Sequence, residues 1–179
     1  MRITAGRFRG RNLPVPKHAG VRPTPSKVRQ ALFNILGNIE GACVLDLFSG
    51  SGLMALEALS RGAVAITSVE KNKRIFTHLQ DIRGNWDIQD EWHLLHGDVQ
   101  ETLPRLAGRH FDLIFADPPY AQGISERIPC WLDNSRISCA QLVIEESARV
   151  DPLWPSGWTQ LRSRRYGDTC LYFLEPEAA

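Results

Sequence analysis

A chain of 179 residues, 43% apolar and 23% charged, is long enough to bury a sizeable core as a single globular domain. No apolar run approaches the roughly 20 residues of a membrane span, and Met1-Arg2-Ile3-Thr4 lacks the charged-then-apolar pattern of a secretory leader, so a cytoplasmic protein is expected. The net charge of +1 hides an asymmetry: residues 1–39 hold eight basic and no acidic residues, leaving thirteen basic against twenty acidic beyond them. Such a basic segment suits a polyanionic partner, although a merely solvated positive segment would look the same. Cys43, Cys130, Cys139 and Cys170 are scattered without a CxxC pair, which fits reduced thiols. His93 and His96 have no third ligand nearby in sequence, so no metal site is expected.

In chain order, Gly6, Gly10, Pro14, Pro16 and Gly20 break any long helix in the first twenty residues. The stretches Arg2–Ala5 and Asn12–Val15 are expected to pair as a basic hairpin, with Arg7, Arg9 and Arg11 around its turn. Thr24-Pro25 marks a helix start, with threonine at the cap and proline in the first turn. Val28, Leu32, Ile35 and Leu36 follow at helical spacing, and Gly37 ends the helix.

From residue 43 strands and helices alternate. Cys43–Phe48 reads as a buried strand, and Leu53–Ser60 as a helix with a Glu57/Arg61 pair at i,i+4. Ala65–Val69 is the next strand, and Asn72 caps a helix whose apolar stripe is Ile75, Leu79 and Ile82. Trp92–Leu95, Leu113–Ala116 and Ala140–Ile144 are three further strands, with an ill-defined helix near 124–134. Trp158–Arg162 and Cys170–Leu174 flank Tyr166-Gly167-Asp168 as a closing antiparallel hairpin. The expected fold is α/β, a doubly wound and mostly parallel sheet preceded by a basic N-terminal extension.

Such sheets bind ligands beyond the carboxyl ends of their strands. Gly50 and Gly52, in Asp46-Leu47-Phe48-Ser49-Gly50-Ser51-Gly52, allow the sharp turn that a ligand loop needs, and Gly50-x-Gly52-x-x-Ala55 fits NAD as readily as S-adenosylmethionine. Three acids favour the latter. Asp46, four residues before the first glycine, suits a cationic sulfonium and would repel pyrophosphate. Glu70 ends the second strand, placed to accept both ribose hydroxyls. Asp98, with Val99 beside it, follows the third strand, placed to accept an adenine N6 hydrogen or simply to cap the next helix.

At the fourth strand end stands Asp117-Pro118-Pro119-Tyr120. Two prolines cannot continue the strand and stiffen the chain. That fixes the Asp117 carboxylate and the Pro118 carbonyl as convergent acceptors for the two hydrogens of a base amine. These bonds would aim the nitrogen lone pair and stabilise the charge developing on it. Tyr120 offers a flat face to an unstacked base. A strand simply ended by a Pro-Pro turn is the competing reading.

The Asp46–Gly52 loop, Glu70, Asp98 and Asp-Pro-Pro-Tyr resemble the class I methyltransferases that modify exocyclic amines. More narrowly, the chain is similar to the bacterial 16S rRNA (guanine-N2)-methyltransferases of the RsmD type. The residues concerned are Arg2-Ile3-Thr4-Ala5-Gly6, Arg9-Gly10-Arg11, Val21-Arg22-Pro23-Thr24, Val28-Arg29, Ala31–Leu36 and Arg165-Tyr166-Gly167-Asp168-Thr169. The resemblance spans residues 2 to about 174. It implies a seven-stranded Rossmann-like methyltransferase domain over 21–179, behind a hairpin arm over 1–20. It implies S-adenosylmethionine as donor, S-adenosylhomocysteine as product, and one guanine of 16S rRNA in the small ribosomal subunit as substrate. Asp117, Pro118 and Tyr120 become the catalytic and base-holding positions. Asp46, Gly50, Gly52, Glu70, Asp98, Val99, Arg22 and Thr24 become cofactor contacts. Arg7, Arg9, Arg11, Lys27, Arg29 and Pro119 become rRNA contacts, and a monomer is expected. An N6-adenine methyltransferase shares every cofactor residue, although the chain has no room for a separate DNA target-recognition domain. A non-catalytic RNA-binding module is the third reading.

Overall fold

The computed structural model describes residues 1–14 and 25–177. Seven strands form one sheet in the order β3-β2-β1-β4-β5-β7-β6. Five run parallel: β1 (Cys43–Leu47), β2 (Ala65–Glu70), β3 (Trp92–His96), β4 (His110–Ala116) and β5 (Ser138–Ser147). β7 (Thr169–Pro176) lies antiparallel to β5, and its hairpin partner β6 (Trp158–Tyr166) forms the edge. The expected mostly parallel sheet with a closing antiparallel hairpin is therefore present. The central strands are Val/Ile/Leu runs because helices cover both faces.

α1 (Ser26–Leu36), α2 (Leu53–Ser60) and α3 (Lys73–Asn85) pack one face with Leu113, Phe115, Val143, Leu171 and Phe173. The short α4 (Val99–Thr102) and α5 (Ile128–Asn134) cover the other, over Leu45, Ile114, Leu142 and Ile144. α3 starts as expected: the Asn72 side chain accepts from the Arg74 and Ile75 amides at 3.0 and 3.3 Å, and Ile75, Leu79 and Ile82 are buried. α1 ends as expected at Gly37, whose amide donates to the Phe33 carbonyl. At its start, Pro25 occupies the capping position in place of the first turn, and Thr24 lies outside the described residues.

Residues 1–14 of the basic N-terminal segment form a docked element; Val15, the last residue of the expected hairpin, lies outside the described residues. Arg2 and Asn12 form an antiparallel bridge, and Ile3 and Leu13 are buried in the core. Gly6 lies against the end of α2, where the Arg7 amide donates to the Ser60 carbonyl at 2.8 Å and the Phe8 amide to Ser60 Oγ at 2.9 Å. A Cβ on Gly6 would stand 1.5 Å from the Ser60 carbonyl oxygen, at φ +78, so only glycine permits this approach.

Glu57 is the centre of this docking. Its expected partner Arg61 donates at 2.9 Å, but Thr4 adds its amide (3.0 Å) and hydroxyl (2.5 Å), and Arg29 its Nε (3.1 Å). Arg29 thus corrects the sequence reading: it is 1% exposed, bonded also to the Arg2 carbonyl, and cannot serve as an RNA contact. A buried carboxylate needs buried positive charge, and Arg29 supplies it. Arg7 pairs with Glu91, and the Arg11 guanidinium lies over Trp86, 4.0 Å from the ring centroid. The hairpin therefore docks where α2 and α3 end, by the amino ends of β2 and β3.

Candidate active site

β1 ends at Leu47, and the chain leaves it through Phe48, a non-glycine residue at φ 63. Such a conformation is costly and is retained where surrounding structure enforces it. Ser49–Gly52 then turns into α2. Gly52, at φ 72, permits the turn, and a Cβ there would meet Leu79 Cδ2 at 2.7 Å and Trp92 at 2.8 Å. The Glu70 carboxylate fixes the loop: Oε2 accepts the Gly50 amide at 2.9 Å, and Oε1 the Asn72 amide at 2.7 Å. Asp46 lies beneath, 2% exposed, accepting from Ser49 Oγ at 2.7 Å and Ser68 Oγ at 3.4 Å. Burial pushes its carboxyl up to about 7; the two serine hydroxyls pull it down and the Glu70 charge adds to the rise.

The strand ends open on a cleft of about 460 Å³. Its described lining includes three acids, Asp46, Glu70 and Asp117, against one base, Lys71. Phe48, Met54, Val69, Val99 and Phe115 supply apolar walls, and Pro118, Pro119 and Tyr120 close it on the β4 side. Of the residues expected from sequence, the cleft gathers Asp46, Gly50, Glu70, Val99, Asp117, Pro118, Pro119 and Tyr120. Gly52 stands directly behind, at the start of α2. Asp98 does not line it; the side chain is exposed and caps α4, accepting the Gln100 amide at 3.0 Å, while Gly97 and Val99 on either side form the wall. Lys27 is exposed on the first turn of α1 and contributes no wall. Arg22 and Thr24 lie outside the described residues. Arg7, Arg9 and Arg11 are exposed on the hairpin.

Two acids that sequence reasoning passed over organise the β4 side. Glu145 and Glu146 end β5 and are 2% and 1% exposed. The Tyr120 hydroxyl donates to Glu145 Oε1 at 2.7 Å and lies 3.3 Å from Thr169 Oγ1. Burial, then the Glu145 and Asp117 charges, hold that phenol well above its ordinary range, against the Thr169 hydroxyl. Tyr120 is thus a neutral, tethered ring and not a base. Glu146 accepts the Ala121 amide (3.1 Å) and the Ser125 hydroxyl (2.7 Å), pinning the segment that follows the Pro-Pro turn. The signal was available, since these are acids at the end of the next parallel strand. Phe48 and Met54 carried no comparable signal.

A crevice at the carboxyl ends of β1 and β4, where the strand order reverses, is the ligand position of doubly wound sheets. The closing antiparallel pair narrows the class to the Rossmann-like methyltransferase fold. An RNA methyltransferase from Salinibacter ruber, solved in complex with S-adenosyl-L-homocysteine, shares that fold with a TM-score of 0.67 at 15% identity over 88% of this chain and 96% of that one. Residues 1–175 match the family described as conserved hypothetical protein 95, and the chain belongs to that family. It is 32% identical to the ribosomal RNA small subunit methyltransferase D of Escherichia coli, covering 99% of this chain and 91% of that protein. It is also similar to the solved structure of the Escherichia coli protein YhhF, at 31% identity and a TM-score of 0.87, over 100% of this chain and 99% of that one.

Proposed function

We propose that this chain transfers a methyl group from S-adenosylmethionine to the exocyclic N2 amine of a guanine in 16S rRNA of the small ribosomal subunit. The observation that carries the reading is Asp117-Pro118-Pro119-Tyr120 closing an acid-lined cleft at the strand ends. The name of the Escherichia coli relative supports a small-subunit rRNA substrate. Guanine N2 rests on the family resemblance.

The cleft fits the donor. Three carboxylates against one ammonium suit a sulfonium and an uncharged nucleoside, and disfavour a pyrophosphate. Asp46 stands under the loop that would hold the sulfonium side, and Glu70 keeps a further acceptor lone pair on each oxygen for ribose hydroxyls. Gly97 and Val99 form the wall nearest the end of β3, a slot for the adenine ring. The donor supplies an electrophilic methyl group and leaves as S-adenosylhomocysteine.

The protein's contribution is orientation. Asp117 and the Pro118 carbonyl accept the two amine hydrogens, which leaves the nitrogen lone pair directed into the cleft. The Asp117 carboxylate also stabilises positive charge on that nitrogen as the new bond forms. Tyr120, tethered to Glu145, stacks on the base. No strong base is required, because a methylating amine becomes acidic as its bond forms.

The test is transfer of labelled methyl to 30S subunits, naked 16S rRNA and duplex DNA, followed by nucleoside analysis. Label in N2-methylguanosine of 16S rRNA is expected; label in adenine, or only in DNA, overturns the assignment. Asp117→Ala is expected to reduce transfer by at least a thousandfold, the scale of lost transition-state stabilisation of about 4 kcal/mol. Its cofactor binding by calorimetry should persist.

A further inference from the structure

Outside the cleft, β6 carries a run of positive charge of its own. From Pro152 to Gly167 there is no acidic residue, while Arg162, Arg164 and Arg165 follow one another along the strand. All three are exposed, and none pairs with a carboxylate among the described residues. A charged edge strand also resists pairing with another sheet, so the distinguishing fact is where the charge stands. β6 runs antiparallel to β7, and β7 antiparallel to β5. The end of β6 therefore lies at the same rim as the carboxyl ends of β4 and β5, where Tyr120 is held.

The register makes this specific. Glu145 is opposite Leu171, and Leu171 is opposite Arg164; Glu146, Cys170 and Arg165 form the next row, and Ser147, Thr169 and Tyr166 the last. Residues directly opposite share a sheet face, so Arg164 lies on the face of Glu145, the acceptor of Tyr120, about 10 Å away at two inter-strand steps. Arg162 shares that face, its guanidinium 5.5 Å from the Phe173 ring centroid. Arg165 donates through Nε to the Gly167 carbonyl at 3.1 Å, which holds it beside the turn. That turn is itself tied to the site: Thr169 touches the Tyr120 hydroxyl, and the Ala148 amide donates to the Asp168 carbonyl at 2.8 Å. Arg149, exposed in the adjoining turn after β5, extends the positive rim.

We infer that the carboxyl end of β6, where Arg164 and Arg165 stand on opposite faces with Arg162 two residues back on the Arg164 face and Arg149 beside them, binds the phosphates of the RNA strand that flanks the target nucleotide. The inference rests on the proposed rRNA reading and names the surface that delivers the substrate. Arginine suits the task because its planar fork meets phosphate oxygens in pairs. The rim begins where the base would leave its stack and leads away from the cleft over two strands. The cleft itself, lined by acids, repels phosphate, so a base and not its backbone is drawn in.

The experiment compares wild type with an Arg162→Ala/Arg164→Ala/Arg165→Ala triple variant and with Arg105→Ala, an exposed arginine in the turn after α4 that leads to the amino end of β4. Binding to naked 16S rRNA and to 30S subunits is measured across a potassium chloride series, alongside methyl-transfer kinetics and cofactor calorimetry. The triple variant should bind RNA at least tenfold more weakly, with a salt slope reduced by about 2, from roughly 0.7 per phosphate contact on a single strand. KM should rise, with kcat and cofactor affinity retained. An Arg164→Lys single variant should retain most of the charge-dependent binding. Unchanged RNA affinity and slope overturn the inference, as does a fall in kcat at constant KM. The same loss in Arg105→Ala would show a non-specific charge effect and overturn it equally. Failure of wild type to methylate 16S rRNA would instead sink the proposed function, while the binding arm still decides whether the rim holds RNA.

Discussion

Asp46 and Glu57 are both buried carboxylates, yet their surroundings drive them in opposite directions. Around Asp46, burial dominates and two serine hydroxyls compensate only partly, so the group rises to about 7. Around Glu57, burial also acts to raise the pKa, but Thr4, Arg61 and Arg29 outweigh it and the pKa is lowered. The signs for stability are therefore opposite. Between its unfolded value of 3.8 and about 7, native Asp46 keeps a proton that the unfolded chain has released, so its contribution falls as pH rises through that window. Glu57 contributes above its unfolded value of 4.5, and that contribution is lost as pH falls through the lower folded value. Asp46→Asn should therefore flatten the decline in melting temperature between pH 4 and 7 for the cofactor-free protein. A cation bound near Asp46 favours the ionised form, so S-adenosylmethionine affinity should increase from pH 6 to 8 and binding should release a proton. Calorimetry in buffers of differing ionisation enthalpy reads this directly; a pH-independent affinity, the same in Asp46→Asn, would remove Asp46 from the cofactor's surroundings.

At the scale of elements, the N-terminal hairpin is held by docking contacts, with Glu57 the most connected of them, rather than by pairing with the main sheet. Glu57→Gln leaves the Arg29 guanidinium buried without its counter-charge, a loss of about 3–5 kcal/mol by the usual cost of breaking a buried pair. Denaturant unfolding should show it as a lower midpoint. Gly6→Ala acts at the neighbouring contact with Ser60 by steric means, and limited proteolysis should then cut within residues 1–14 before the rest of the chain. These elements also show what the sequence could reveal. α2 and α3 were legible because apolar spacing and an Asn cap are local signals. β6 runs four residues beyond Arg162, because an edge strand exposed on both faces has no apolar alternation to mark it. Asp98 satisfied two local patterns at once, and its side chain serves the helix cap by accepting the Gln100 amide. Arg29 looked like one more member of a basic segment; its burial follows from Glu57, twenty-eight residues away, and only the packing of α1 on α2 brings them together. The cleft acids were readable because strand ends in this fold converge, whereas Arg164 became relevant only once β7 had inserted between β5 and β6.

At the scale of the whole molecule, two of the positive clusters among the described residues stand at opposite ends of the sheet. The rim of β6 shares the carboxyl end with Tyr120, while Arg7, Arg9 and Arg11 sit by the amino ends of β2 and β3, about 20 Å away along the strand direction and several strands across the sheet. On the proposed rRNA reading, a short RNA threaded to the cleft would reach the first cluster and not the second. A ribosomal subunit is broad enough to meet both. Replacing Arg7, Arg9 and Arg11 by alanine should therefore leave binding of a short single-stranded RNA bearing the target guanine unchanged, and weaken binding to 30S subunits. Arg7 already answers Glu91, so about two phosphate contacts are at stake and the salt slope on the subunit should fall by about 1.5. Equal loss on both substrates would place the hairpin at the cleft, against the docking of Gly6 on α2. No loss on either would make the hairpin a purely structural clasp, its charge serving only solubility. The subunit-specific loss is the outcome that follows from a sheet with its chemistry at one end and its N-terminal anchor at the other.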